Sequence, residues 1–121
     1  MRFTKDHQWV ELEGDIAAIG VTAYAAEKLG DVVFVKLPDV GQALKAGEAM
    51  AALQSVNMSM GLNAPVDGEV TEVNTALADT PELIFQDPEH GAWIVRVKVA
   101  DPKPVEALMD RPAYEAFLDT L

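Results

Sequence analysis

Residues 51–70 read Ala51-Ala52-Leu53-Gln54-Ser55-Val56-Asn57-Met58-Ser59-Met60-Gly61-Leu62-Asn63-Ala64-Pro65-Val66-Asp67-Gly68-Glu69-Val70. The apolar run predicts a strand from Ala49 to about Val56, followed by a hairpin tip. Asn57 suits such a tip because asparagine tolerates left-handed backbone; a recognition role for the tip is the competing reading. Met58 and Met60 alternate with Ser59, the period of a strand with one buried face. Both are therefore assigned to the core, against a polarizable surface offered to a partner. Pro65-Val66-Asp67-Gly68 is a turn, and Glu69 to Val73 forms the next strand.

The same texture extends both ways. Strands Trp9–Leu12 and Ile16–Ile19 flank Glu13-Gly14-Asp15, a hairpin turn in which glycine supplies positive φ. Thr22 caps a short helix through Leu29 that Gly30 ends. A strand runs from Asp31 to Leu37, where Pro38 stops it, with turns at Gly41 and Lys45–Glu48. A long polar loop is expected through Thr80, then a strand from Trp93 to Val99. Pro102 and Pro112 open two short helices, since proline is tolerated in a first helical turn. Val105, Leu108, Met109, Tyr114, Phe117, Leu118 and Leu121 recur at helical spacing and are expected to face the sheet and cover a barrel edge. Gly30-Asp31-Val32-Val33 and Gly68-Glu69-Val70-Thr71 hint at two similar half-sheets. Trp9 and Trp93 are read as core anchors.

The chain has 121 residues, with nine Lys plus Arg against twenty Asp plus Glu, for a net charge of -11. Residues 1–60 carry five basic and eight acidic groups, and 61–121 carry four and twelve. This excess of carboxylate argues against nucleic acid and anionic membrane as partners. It reads as a solvated acidic face or one that docks on a basic patch. With no cysteine there is no disulfide, thiolate metal site or cysteine nucleophile. The two serines, Ser55 and Ser59, lie outside any G-x-S-x-G turn. His7 and His90 lack metal-ligand spacing and are given structural or solvent-facing roles. The glycines are dispersed, so no phosphate loop is present. No secretory signal or membrane span is seen, and a cytoplasmic location is expected.

Taken together, the blocks FTKDHQWV, GDIAAIGVTAYAAEKLGDVVFVKLPDVG, KAGEAMAALQSV, APVDGEVTEVNTALADTPELI and WIVRVKV strongly resemble the H-protein family of the glycine cleavage system, over nearly the whole chain. The resemblance implies a mainly β, lipoyl/biotinyl-type barrel-sandwich hybrid with a short internal helix and two short C-terminal helices. It would form a single domain over 1–121, with the barrel at 1–100 and the helices at 101–121. It also implies a lysine at a hairpin tip that carries lipoate. That arm takes an aminomethyl group from glycine decarboxylase, passes it to the aminomethyltransferase, and is reoxidised by dihydrolipoyl dehydrogenase. The carrier itself performs no catalysis.

The family's tip reads roughly E-S-V-K-A, whereas this chain has Gln54-Ser55-Val56-Asn57-Met58. A carboxamide nitrogen is not nucleophilic, and no lysine falls within ten residues of Asn57, so no cofactor is expected. The family's H-E-W is His7-Gln8-Trp9 here, and Gly61 stands where the family commonly has an aspartate. Two anionic partners of the arm are thus absent. The leading reading is a non-lipoylated relative that keeps a docking surface for the glycine cleavage enzymes or a lipoyl ligase. The alternative is a glycine cleavage H protein in which Asn57 is a variant of the lipoyl-lysine position. An enzyme on the same scaffold lacks any nucleophile–base pair.

Overall fold

The computed structural model describes Met1–Leu121. Its elements in chain order are β1 (Arg2–Phe3), β2 (Gln8–Glu13), β3 (Ile16–Val21), α1 (Ala23–Leu29), β4 (Val32–Lys36), β5 (Ala43–Leu44), β6 (Ala49–Ser55), β7 (Ser59–Asn63), β8 (Gly68–Val73), α2 (Ala76–Asp79), α3 (Leu83–Gln86), β9 (Val95–Lys98), α4 (Lys103–Glu106) and α5 (Arg111–Leu118). All pairings are antiparallel, in a six-stranded sheet ordered β1-β2-β3-β9-β8-β5 and a three-stranded sheet ordered β4-β6-β7. This is the mainly β sandwich expected from the sequence. No helix is long and apolar enough to cross a membrane.

Local chemistry sets the connections. Gly14 turns the β2–β3 hairpin with φ 61°. The Thr22 side chain accepts from the Ala25 amide to cap α1, and Gly30 ends that helix with φ 73°. Alternating residues of both sheets meet in one core. Val10, Ile19, Val70 and Val97 come from the larger sheet, and Val35, Leu53 and Leu62 from the smaller. Burying each such side chain stabilises the fold by roughly 1.5–3 kcal/mol.

The polar loop expected before Thr80 is a correction. Two one-turn helices, α2 and α3, lie between Val73 and Asp87, each inserting one buried residue, Leu77 and Ile84. Four-residue helices are too short to show a period. The two Gly-acid-Val copies stand in the two sheets that face each other across the core, although the sheets differ in strand number. One leads β4 in the three-stranded sheet and the other β8 in the six-stranded sheet.

At the C-terminus, α5 covers edge strand β1. The Tyr114 ring stacks on Phe3 at 4.7 Å, while Phe3 and Met109 exchange backbone hydrogen bonds of 2.7 and 3.1 Å. Val105 of α4 enters the main core, but Leu121 does not face the sheet. It lies beyond the last turn of α5 and is 64% exposed. Trp9 is a buried anchor whose Nε1 donates to Pro88 O at 2.9 Å, whereas Trp93 is half-buried with the Arg96 guanidinium 4.1 Å from its ring.

Candidate functional site

Strands β6 and β7 form the hairpin read from the sequence, with Leu53 opposite Met60 and Gln54 opposite Ser59. Val56, Asn57 and Met58 make its tip. Ser55 is buried and closes the turn. Its Oγ accepts the amides of Asn57 (3.2 Å) and Met58 (3.1 Å) and donates to Met58 O at 3.1 Å. The tip rests on the end of α1, because the Val56 amide donates to Asp31 O at 3.2 Å. Asn57 Nδ2 lies 3.6 Å from where a Cβ on Gly30 would stand.

Two expectations for the tip fail. Asn57 does not adopt positive φ, since His7 is the one non-glycine residue that does. Left-handed turn chemistry therefore gives no reason for asparagine there. Met58 is 45% exposed rather than in the core, because the strand resumes only at Ser59; Met60 is the methionine that packs inward. Gln54 points outward from β6, and Val56 is among the most exposed apolar residues of the chain. Beside the tip, a bulge in β4 between Val32 and Phe34 leaves Val33 and Phe34 exposed together. Sequence reading missed this pair, since a bulge breaks the period that would have alternated them.

Below the tip, Lys5, Asp6, His7 and Gln8 face residues 60–63 across a cavity of about 290 Å³. Gln8 and Gly61 thus meet in one cleft, although Asn57 does not line it. Larger cavities lie elsewhere, including one of about 430 Å³ bounded by Trp9, Glu11, Glu89 and Trp93, but none joins the tip strand to Gln8. Gln8 is 1% exposed, and its Nε2 donates to Asn63 O at 2.9 Å. Gly61 is open, with nothing near the position of a Cβ.

The cleft wall also holds a group of residues that the sequence did not mark. His7 Nδ1 and Tyr114 Oη are 2.8 Å apart, and Tyr114 Oη is 2.8 Å from Thr22 Oγ1. Burial pushes His7 below the ordinary histidine value, against the pull of Asp6. Burial also pushes the Tyr114 phenol up, partly offset by its hydrogen bond to Thr22.

Comparison with known proteins agrees with this geometry. The family described as "Glycine cleavage H-protein" matches residues 1–121. The glycine cleavage system H protein of Phenylobacterium zucineum is 55% identical over 118 residues, covering 98% of each chain. That of Caulobacter vibrioides is 55% identical over 121 residues, covering 100% of each. The crystal structure of a glycine cleavage system H protein from Mycobacterium marinum superposes with a TM-score of 0.86 at 36% identity, over 98% of this chain and 95% of that one. These matches overturn the expectation that no cofactor goes with the chain, because the matched family carries lipoate. They favour the H-protein alternative over the non-lipoylated docking relative, which nothing supports. They also set the chain among carriers rather than catalysts.

Proposed function

We propose, from the premise that the chain belongs to the glycine cleavage H-protein family, that it is the carrier of a glycine cleavage system, acting as one unit over residues 1–121. Its arm-bearing position is residue 57, and Asn57 is a variant of that position. The observation that carries this reading is the hairpin apex. Residues 56–58 are exposed, held from below by Ser55, and free of side-chain hydrogen bonds at Asn57. An apex of that kind presents one side chain to several active sites in turn. The partners on this reading are glycine decarboxylase, the aminomethyltransferase, dihydrolipoyl dehydrogenase and the lipoyl ligase that loads the arm, all in the cytoplasm.

When bound, lipoate supplies the disulfide that accepts the aminomethyl group. A carboxamide at residue 57 does not itself fit the amide linkage by which lysine holds lipoate, because its nitrogen is already delocalised into a carbonyl. The contribution assigned to the chain is therefore its scaffold. Ser55 fixes the apex, and the Gln8–Gly61 cleft lies against the inner end of the same hairpin.

The test is Asn57→Lys co-expressed with a lipoyl ligase and lipoate. The expected result is a mass gain of one lipoyl group mapped to position 57, with glycine-dependent CO₂ release in the reconstituted system above that of the parent chain. No gain at position 57, or a lipoyl group at Lys36 or Lys45 instead, overturns the assignment.

A further inference from the structure

One line of polar atoms ties the C-terminal helix to the cleft. Tyr114 of α5 sits between His7 Nδ1 and Thr22 Oγ1, each 2.8 Å from its hydroxyl, and Thr22 Oγ1 also accepts the Ala25 amide at 3.4 Å. The His7 ring packs on Tyr24 of α1, with centroids 4.5 Å apart, and against Tyr114 and Phe117 of α5 at 5.9 and 6.0 Å. His7 is also the one non-glycine residue with positive φ, at 63°. That geometry is held by its amide donating to Thr4 O (3.2 Å) and its carbonyl accepting from Thr22 N (3.0 Å). A strained backbone secured on both sides aims this imidazole at one hydroxyl.

We infer that His7, Tyr114 and Thr22 form a pH-sensitive clasp, which holds α5 against the cleft loop while His7 is neutral and loosens when His7 is protonated. The inference does not depend on what residue 57 carries.

The hydrogen-bond directions supply the reason. With His7 neutral and its proton on Nε2, Tyr114 donates to Nδ1, the Thr22 hydroxyl donates to Tyr114, and Thr22 accepts from Ala25, so each group is used once. A proton on Nδ1 reverses the first bond. Two hydroxyl hydrogens then share one acceptor position between Tyr114 and Thr22, so whichever way that bond points, one of them loses its acceptor. The half-buried imidazolium would also be less hydrated than in water, and release of α5 removes two of the rings that cover it. The charges that face the clasp are few. Asp6 and Lys5 lie on its own loop. On α1, Tyr24 has Lys28 Nζ 5.5 Å from its ring, and beside α5 Arg111 is paired with Glu89 at 2.7 Å. Asp6 favours the cation, but burial outweighs it. The sign follows: the folded His7 titrates below its unfolded value of 6.5, so its contribution is complete above 6.5 and is lost as the pH falls from there toward the folded value.

Two measurements on the intact chain test the clasp. In a side-chain NMR titration His7 is expected to titrate lower in the folded chain than in the same chain unfolded in urea, which serves as the reference. In hydrogen exchange corrected for intrinsic rates, the α5 amides should lose protection severalfold between about pH 7.5 and about pH 5.5, while the β2–β3 amides hold theirs. His7→Asn, which still accepts positive φ, should make α5 protection independent of pH. Tyr114→Phe, which keeps the ring stack on Phe3, should lower it at about pH 7.5 toward the parent's acid value. Unchanged α5 protection in the parent, a His7 that titrates no lower in the folded chain than in the unfolded one, or the same acid response in His7→Asn overturns the inference.

Discussion

Gln8 Nε2 donates to the backbone carbonyl of Asn63, 55 residues further along the chain, at 2.9 Å. This bond joins β2 of the six-stranded sheet to β7 of the three-stranded sheet at the base of the tip hairpin. Its polarity matters, because a carbonyl can only accept. The residue at position 8 must therefore bring a donor into a buried place.

Gln8→Glu should thus cost stability, although it restores the residue of the resembled H-E-W block. A carboxylate would face the Asn63 carbonyl in a site 1% exposed, leaving two acceptors opposed. The expected loss is about 1–3 kcal/mol near neutral pH, shrinking toward acid as the introduced carboxyl protonates and regains a donor. Urea unfolding of parent and variant at neutral and acidic pH measures this. By contrast, Gly61→Asp meets open space and should change stability by no more than about 0.5 kcal/mol. Equal effects of the two changes would show that the Gln8 bond contributes nothing.

The tip divides its labour between two neighbours, and their substitutions should differ accordingly. Ser55→Ala removes the oxygen that accepts two amides and leaves Asn57 N and Met58 N without that partner. A cost of about 1–2 kcal/mol is expected. Asn57→Lys touches no side-chain hydrogen bond and no left-handed backbone, so it should stay within about 0.5 kcal/mol. Thermal melts of both variants decide it; a larger drop for Asn57→Lys than for Ser55→Ala would reverse the roles.

Much of this layout was legible in the sequence where a single residue type signals a single geometry. Thr22 and Gly30 bracket α1 as read, and Gly14 turns its hairpin. What escaped was set by tertiary contact. The two Gly-acid-Val segments look alike, yet Gly30 is required for its positive φ. Gly68 is required because a Cβ there would strike Val97 Cγ1 and stand 2.7 Å from Lys98 O. Likewise, β1 and β5 have two residues each, too few for a period, and exist because neighbouring strands offer unpaired edges. The Gln8 donor role was invisible for the same reason. It depends on a carbonyl brought in by the second sheet.

Gly20 carries a related prediction. A Cβ there would lie 2.7 Å from the Trp9 indole, which is buried and anchored through Nε1 to Pro88 O. The ring belongs to a cluster with Phe3 and Tyr114, so moving it disturbs that packing and its Nε1 bond together. Gly20→Ala should destabilise by about 1–3 kcal/mol and shift tryptophan emission to the red as the indole is displaced toward water. An unshifted spectrum with unchanged stability would mean that the indole has room to slide.

Tyr114 should give the protein an alkaline weakness of its own. Burial is the main cause that raises its phenol above 10.0, with Glu89 and Tyr24 acting in the same direction and the Thr22 hydrogen bond and Arg111 opposing. The unfolded chain therefore ionises this tyrosine first as the pH rises through 10. The stability it contributes is full below 10 and is lost progressively above it. Tyr114→Phe removes the ionisation but strands His7 Nδ1 and Thr22 Oγ1, so the variant should be weaker by about 1–3 kcal/mol at pH near 8. Above about pH 10 its stability should fall less steeply than the parent's, because Phe cannot titrate and every other group is common to both. Denaturant midpoints followed from about pH 8 to about pH 11 make the comparison. Parallel declines in the two proteins would show that the phenol ionises as readily in the fold as out of it, and that the hydroxyl between His7 and Thr22 is not confined as its 2.8 Å contacts imply.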